Sequence, residues 1–145
     1  MRLSAMWHFN ERHELLAEHP HGPDVTVQDV VQARYEEIKK AKGWPFTRNL
    51  TFTGYDVIIR EDQQVPTADR MLEKIARGFS LSREFTVATG SFGGYARCIG
   101  FIVGESETGS CAWADNGTVG FLLGANFRAA ELAKFLPAFR AAVER

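Results

Sequence analysis

Hydrophobic and polar positions alternate between residues 93 and 124 in three short runs, which are separated by sequences typical of turns. The runs cover residues 95–103, 110–115 and 118–123. The last two are joined by Asn116-Gly117, a pair whose residues both tolerate the positive φ angles of a type I′ turn. Alternation with a period of two is typical of β-strands, so the pattern predicts three consecutive antiparallel strands.

Two further strands are predicted upstream of this region. Residues 50–60 alternate at first and then become apolar and β-branched, which favours a strand. Residues 85–89 form a shorter apolar run that ends at a glycine-rich turn, residues 90–94. The predicted sheet therefore has about five strands.

Three helices are predicted from apolar residues that recur at three- and four-residue spacing. The first begins at Asp24 or Thr26 and ends near Lys42, before Gly43. Its apolar positions are Val27, Val30, Val31, Tyr35 and Ile38. We expect this amphipathic face to pack on the sheet.

The second and third helices flank the predicted meander. The second opens at Pro66-Thr67, and its expected buried face consists of Met71, Leu72, Ile75, Ala76 and Phe79. The third begins near Asn126, and its apolar positions continue across Pro137. Because proline kinks a helix more often than it divides one that keeps its apolar face, we expect a single kinked helix.

The order of these elements predicts an α+β fold. Strands joined by short turns form an antiparallel meander, and three helices on one face would make a two-layer sandwich. Residues 1–23 end in the helix-breaking sequence HPHGP, so we expect an N-terminal arm with a short helix over residues 11–19, capped by Asn10. Residues 24–145 are expected to form a single domain.

Composition excludes several classes of protein. The chain has 145 residues, of which 45% are hydrophobic, enough for one globular core. Its formal charge is −1, from 17 basic and 18 acidic residues, which gives no overall attraction to nucleic acid. We find no run of about 18 apolar residues and no signal peptide, so we expect no direct membrane insertion. No cofactor motif is recognised, and the sequence assigns no compartment.

The two cysteines, Cys98 and Cys111, flank the turn GESETG. If Gly104-Glu105 forms the tip of a hairpin, facing residues have numbers that sum to 209, so the cysteines oppose each other. That geometry permits a disulfide after a modest local twist; the alternative is two buried thiols. A catalytic thiol needs a base, and all four histidines lie between residues 8 and 21, so we favour a structural pair.

The block from residue 93 to residue 120 carries GG-x-x-x-C, CAWAD and T-x-G elements. It resembles the C-terminal domain of small actinobacterial proteins of uncharacterised function, which are mostly membrane-anchored or exported. The resemblance extends more loosely from Leu50 to the end of the chain. It implies that Cys98 and Cys111 form a disulfide on the outer side of the membrane. Residues 1–45 of this chain stand where that group has a leader or membrane helix, and the group supplies no reaction.

Histidines suggest a metal-binding arm only weakly. His8 and His13 are five residues apart, so they diverge on a helix. His19 and His21 are the remaining candidates, because they can chelate weakly in a loop. We favour incidental surface histidines.

Asp115 is a candidate binding residue because it ends a strand close to Trp113. We expect its carboxylate to accept backbone hydrogen bonds in the turn that follows. Trp7, Phe9 and Trp44 lie outside the predicted elements. Aromatic residues in such places either pack on the core or anchor a partner.

Two functional hypotheses follow. The first is a non-enzymatic interaction or accessory protein that binds a protein partner or a second copy of itself, with the N-terminal arm as a contact element. The second is a small ligand-binding protein or enzyme with a pocket between sheet and helices. Its candidate polar groups are Tyr55, Asp56, Arg97 and Asp115. No catalytic set is assembled by the sequence pattern, so we favour the first.

Overall fold

The structure is a computed structural model that describes residues 8–10, 25–36, 49–89 and 92–143. These residues form seven strands, two α-helices and a short 3-10 helix, so the predicted α+β class is confirmed. The strands are β1 (His8–Asn10), β2 (Val25–Glu36), β3 (Asn49–Ile59), β4 (Ser80–Thr86), β5 (Tyr95–Val103), β6 (Ser106–Ala114) and β7 (Thr118–Ala125). The helices are α1 (Gln64–Ala76), α2 (Ala129–Val143) and the 3-10 helix Glu61–Gln63.

All seven strands belong to one sheet, in the order β1-β2-β3-β7-β6-β5-β4. Every neighbouring pair is antiparallel. Helix α1 carries the chain from β3 to the far edge at β4, and the predicted meander β4-β5-β6-β7 then returns until β7 pairs with β3. Among the described strands, β1 and β4 therefore form the two edges.

The two helices pack on opposite faces of the sheet. Leu72 of α1 lies in a core cluster with Ile99 and Val119, whereas Phe139 of α2 lies in a cluster with Cys98. The expectation that all helices cover one face is therefore wrong. The reason is that the central strands are apolar at both parities, so each of their faces has to be covered.

Residues Val25–Glu36 form strand β2, although the sequence pattern predicts a helix that begins at Asp24 or Thr26. This is the largest error among the sequence-based predictions. β2 pairs with β3 along its whole length, but the register shifts between Val27 and Asp29. Val25, Val27 and Val30 oppose alternate residues of β3 and so point to the same face. Because the bulge inserts one residue, Val27 and Val30 share a face at a spacing of three, which imitates a helix.

This strand, together with β1, raises the number of strands from about five to seven and reduces the helices from three to two. Helix α1 begins at Gln64, two residues before the predicted start. Strand β4 spans Ser80–Thr86 and overlaps the predicted run 85–89 in only two residues. Helix α2 contains Pro137 within a single element, which confirms the prediction of one helix.

The predicted arm falls mostly outside the described residues, including the expected helix over residues 11–19. Residues 8–10 form β1 and pair with residues 32–34 of β2. Asn10, the expected helix cap, lies in this strand.

Candidate functional site

A disulfide joins Cys98 of β5 to Cys111 of β6. The two residues oppose each other directly, as the register sum of 209 predicts. The Val87 N–H donates to the Ala96 carbonyl at 2.9 Å, so Ala96 and Cys98 direct their backbone groups toward β4. The cysteines therefore form a non-hydrogen-bonded pair, in which side chains of an antiparallel ladder come closest. Both are fully buried, so the bridge is a structural cross-link.

Trp113 is a core residue. Its indole is fully buried and stacks on Phe52, with ring centroids 5.8 Å apart, while Phe139 approaches edge-on. A Cβ atom at Gly120 would lie 2.0 Å from the indole, so the ring occupies the space that a side chain on β7 would need. This glycine therefore serves close packing. Because Trp113 has no exposed surface, it is not available for contact with a macromolecular partner.

Asp115 holds the turn between β6 and β7. Its Oδ1 accepts hydrogen bonds from the N–H groups of Gly117 at 3.1 Å and Thr118 at 2.9 Å, which confirms the role favoured from the sequence. The predicted type I′ turn is wrong, because neither Asn116 nor Gly117 has a positive φ angle. The side chain of Asp115 supplies the acceptor that closes the turn instead.

The second carboxylate oxygen of Asp115 accepts a hydrogen bond from Arg140 Nη2 at 3.1 Å. The Arg140 side chain is only 2% exposed, and its guanidinium lies over the rings of Phe92 and Trp113, at 4.8 and 5.6 Å from their centroids. A buried cation needs such a counter-charge and such aromatic neighbours. The pair therefore fixes α2 to the β6–β7 turn.

A shallow cleft of about 340 Å³ opens beside this turn. Its walls are formed by Glu61, Gln64, Phe92, Gly93, Gly94, Asp115 and Asn116. The Gln64 amide donates to Asn116 Oδ1 at 3.0 Å and so ties α1 to the turn. These groups can hydrogen-bond a small polar molecule. Among the described residues that form the walls there is no cysteine, serine or histidine, and the ionisable groups are the carboxylates of Glu61 and Asp115.

Arg97 lies on the face of the sheet that α1 covers. Its guanidinium donates to Asp69 Oδ1 at 3.1 Å and to Glu84 Oε1 at 2.8 Å. The Tyr95 hydroxyl donates to the same Asp69 oxygen. Burial, followed by the hydrogen bond to Asp69 and its charge, raises the pKa of Tyr95 above its ordinary value. These contacts link α1, β4 and β5.

The structure separates the four polar groups of the pocket hypothesis. Tyr55 is 1% exposed and belongs to the core cluster under α1. Asp56 is an exposed residue of β3. Arg97 bonds to acidic residues on α1 and β4, and only Asp115 lines the cleft.

Four of the other predicted site residues lie outside the described part of the chain: Trp7, His19, His21 and Trp44. Phe9 lies in β1, opposite Ala33. Within the described ranges no group of three or more His, Cys, Asp or Glu side chains is placed to hold a metal ion. Neither described helix is long and apolar enough to cross a membrane.

The sequence pattern missed an exposed apolar surface at the β4 edge. We call it the apolar patch and define it by Phe79, Leu81 and Val103, which are 45%, 51% and 42% exposed. Leu81 pairs with buried Phe101, whose ring also contacts Phe79 at 5.4 Å. Six of the seven residues of β4 are exposed. Phe79 was assigned to the buried face of a helix, although its alternation with Ser80, Leu81 and Ser82 is the signal of an edge strand.

Comparisons with protein-family models, with curated proteins and with solved structures found no match to this chain.

Proposed function

We propose that this chain is a non-enzymatic interaction domain that binds a protein partner through the apolar patch beside β4. The observation that supports this proposal is the exposure of Phe79, Leu81 and Val103 at one edge of the sheet. Covering such a surface is favourable, because apolar area is removed from water. Grouped exposed apolar side chains mark interaction sites more often than isolated ones do.

The polar candidates support a scaffold role for the rest of the domain. Asp115 bonds to its own turn and to Arg140, and Arg97 bonds to Asp69 and Glu84. These bonds connect elements of the fold. The exposed apolar side chains beside β4, Leu81 and Val103, take part in none of these bonds.

Leu81→Asp tests the proposal, with Ile58→Asp as the matched control. Both residues are exposed strand positions, at 51% and 59%, but Ile58 lies on β3, away from the patch. We expect the proteins that co-purify with the chain from the cells that produce it to be lost with Leu81→Asp and retained with Ile58→Asp. Equal retention by both variants, measured by quantitative mass spectrometry, would contradict the proposal.

The N-terminal arm, residues 1–23, remains the second contact element of this proposal. Because residues 8–10 pair with β2, deleting residues 1–7 removes Trp7 while leaving β1 in place. We expect this deletion to weaken capture of the same partner. Undiminished capture would remove the arm from the proposal without affecting the patch.

The cleft beside Asp115 gives a second candidate function, binding of a small polar ligand. Its volume of about 340 Å³ and its polar walls favour it. A fragment screen followed by amide NMR would test it. Shifts confined to Gly93, Gly94 and Asn116 would support a ligand site, whereas the absence of such shifts would leave the interaction surface as the better candidate.

A further inference from the structure

We propose that β4 binds an extended segment of the partner protein by strand addition, and that this segment is apolar opposite Leu81 and acidic opposite Arg83. This inference rests on the proposed function, since it names the chemistry of the partner at the same edge. The occupant is an extended peptide that adds an eighth strand to the described sheet.

Within the described residues, no strand pairs with the outer edge of β4. Among the described strands, β5 is the single neighbour of β4, and every residue of β4 other than Phe85 is exposed. An edge strand in this state presents unpaired N–H and C=O groups that another chain can bind. At the opposite edge, β1 has three residues.

The backbone direction of β4 follows from one hydrogen bond. The Val87 N–H donates to the Ala96 carbonyl of β5 at 2.9 Å. Alternate residues of an antiparallel strand direct their backbone groups to the same side. Phe85 therefore directs its N–H and C=O groups toward β5, as Val87 does. Glu84 and Thr86 direct theirs outward, away from β5. These outward groups are the ones an added strand would bond.

The side chains of β4 determine the chemistry of the added strand. Leu81 is half exposed and lies opposite Phe101, whose ring contacts Phe79, so an apolar side chain on the partner would be covered there. Glu84 already bonds to Arg97, which compensates its charge. Arg83 is exposed and lies opposite Gly100, over which Ser82 and Glu107 lie, hydrogen-bonded to each other. Since opposite charges across neighbouring strands attract, a carboxylate on the added strand would pair with Arg83.

The charge pattern also disfavours two of the registers in which a second copy of the chain could occupy the edge. When a strand pairs with its own copy around a twofold axis, the central residue opposes itself. Pairing centred on Arg83 or on Glu84 would place like charges directly opposite each other, which is destabilising. A partner segment with acidic residues avoids this conflict.

Peptides selected from a phage-displayed library of random dodecapeptides test the proposal on the full chain. We expect enriched sequences that alternate apolar and acidic residues.

Thr86→Pro removes an outward N–H without removing a bond to β5, so binding of a synthetic selected peptide should weaken at least tenfold. Thr86→Ala keeps that N–H and should bind within twofold of the unchanged protein. Arg83→Glu should weaken acidic peptides tenfold and favour their lysine-substituted versions.

Amide hydrogen exchange keeps the proposal testable if Thr86→Pro disturbs the fold. In the unchanged protein, exchange at Glu84 and Thr86 should slow at least tenfold when the selected peptide is bound, and exchange at Thr26 should not. Unchanged exchange at both outward amides would overturn strand addition.

The other outcomes separate this inference from the proposed function. A peptide whose binding is lost with Leu81→Asp but is equal for Thr86→Pro and Thr86→Ala would overturn strand addition and leave the patch as the surface. Binding indifferent to Leu81→Asp would overturn both. A concentration-dependent dimer in sedimentation that Thr86→Pro dissolves would show that a second copy occupies the edge, which also overturns the peptide proposal. Failure to select any peptide that depends on Leu81 and Thr86 counts against it equally.

Discussion

The two strands that flank β5 differ in almost every physical respect. On one side, β6 is joined to β5 by the Cys98–Cys111 disulfide, and its last six residues are buried. On the other side, β4 is exposed except at Phe85 and carries a bulge between Leu81 and Arg83. The difference indicates that buried contacts are concentrated around β6, whereas β4 is paired on one side only among the described strands and is the surface that the proposal assigns to binding.

The largest expected effect on the unfolding free energy is that of a substitution in the core at Trp113. Trp113→Ala would remove the indole that stacks on Phe52 and fills the space over Gly120, and we expect a loss of about 3–5 kcal/mol of unfolding free energy. Chemical denaturation measures it, with exposed Ile58→Ala as the control at less than about 0.5 kcal/mol. Equal effects at the two positions would remove the contrast between centre and surface.

Removal of the disulfide comes next. Replacing both Cys98 and Cys111 with alanine should lower the unfolding free energy by about 2–4 kcal/mol, because the unfolded chain is no longer constrained. The intact mass of the unchanged protein should rise by two hydrogens after reduction under denaturing conditions. A double variant as stable as the unchanged protein would show that the cross-link contributes little.

A smaller effect is expected at the β6–β7 turn. Asp115→Asn keeps a side-chain acceptor for the turn but removes the charge that faces buried Arg140. We expect destabilisation of about 1–3 kcal/mol. Asp56→Asn, an exposed carboxylate one strand away, is the matched control and should change stability by less than about 0.5 kcal/mol. No difference between the two variants would mean that the ion pair does not help to hold α2.

The contacts that link α1, β4 and β5 should make the stability of the protein depend on alkaline pH. The pKa of Tyr95 is raised in the folded state by burial and by Asp69. A raised pKa means that the folded state holds its proton more tightly, so the stabilisation is complete below pH about 10 and is lost as the pH rises through the folded pKa. Tyr95→Phe should reduce this alkaline loss. An unchanged pH profile of unfolding would contradict the assignment.

The smallest effect on stability is expected at the edge itself. Leu81→Ala should change the unfolding free energy by less than about 0.5 kcal/mol, because the side chain is half exposed. Partner binding should nevertheless weaken. A loss of stability comparable to that of Trp113→Ala would mean that β4 is part of the core after all.

The sequence predicted best those features that depend on neighbouring residues. The turn at Gly104-Glu105 is local, so the opposition of Cys98 and Cys111 could be worked out by counting. The role of Asp115 followed from the ordinary behaviour of aspartate before a turn. Helix α2 kept its apolar positions on both sides of Pro137 and was recognised as one helix.

Features that depend on distant parts of the chain were not predictable in the same way. The bulge beside Asp29 gave β2 the spacing of a helix, and only its pairing with β3 shows that it is a strand. The placement of α1 and α2 on opposite faces required knowing which strands are central. The apolar patch was missed because Phe79 continued the pattern of the preceding helix, although the chain turns at Gly78, where φ is +86°.

Photo-crosslinking tests the claim that the β4 edge is the binding surface most directly. A photoreactive phenylalanine analogue would be placed at residue 81 or at residue 58, both exposed, in the chain produced in its own cells. We expect a discrete crosslinked partner from position 81 and none from position 58. Crosslinks to the same partner at equal yield from both positions, or from position 58 alone, would contradict the account.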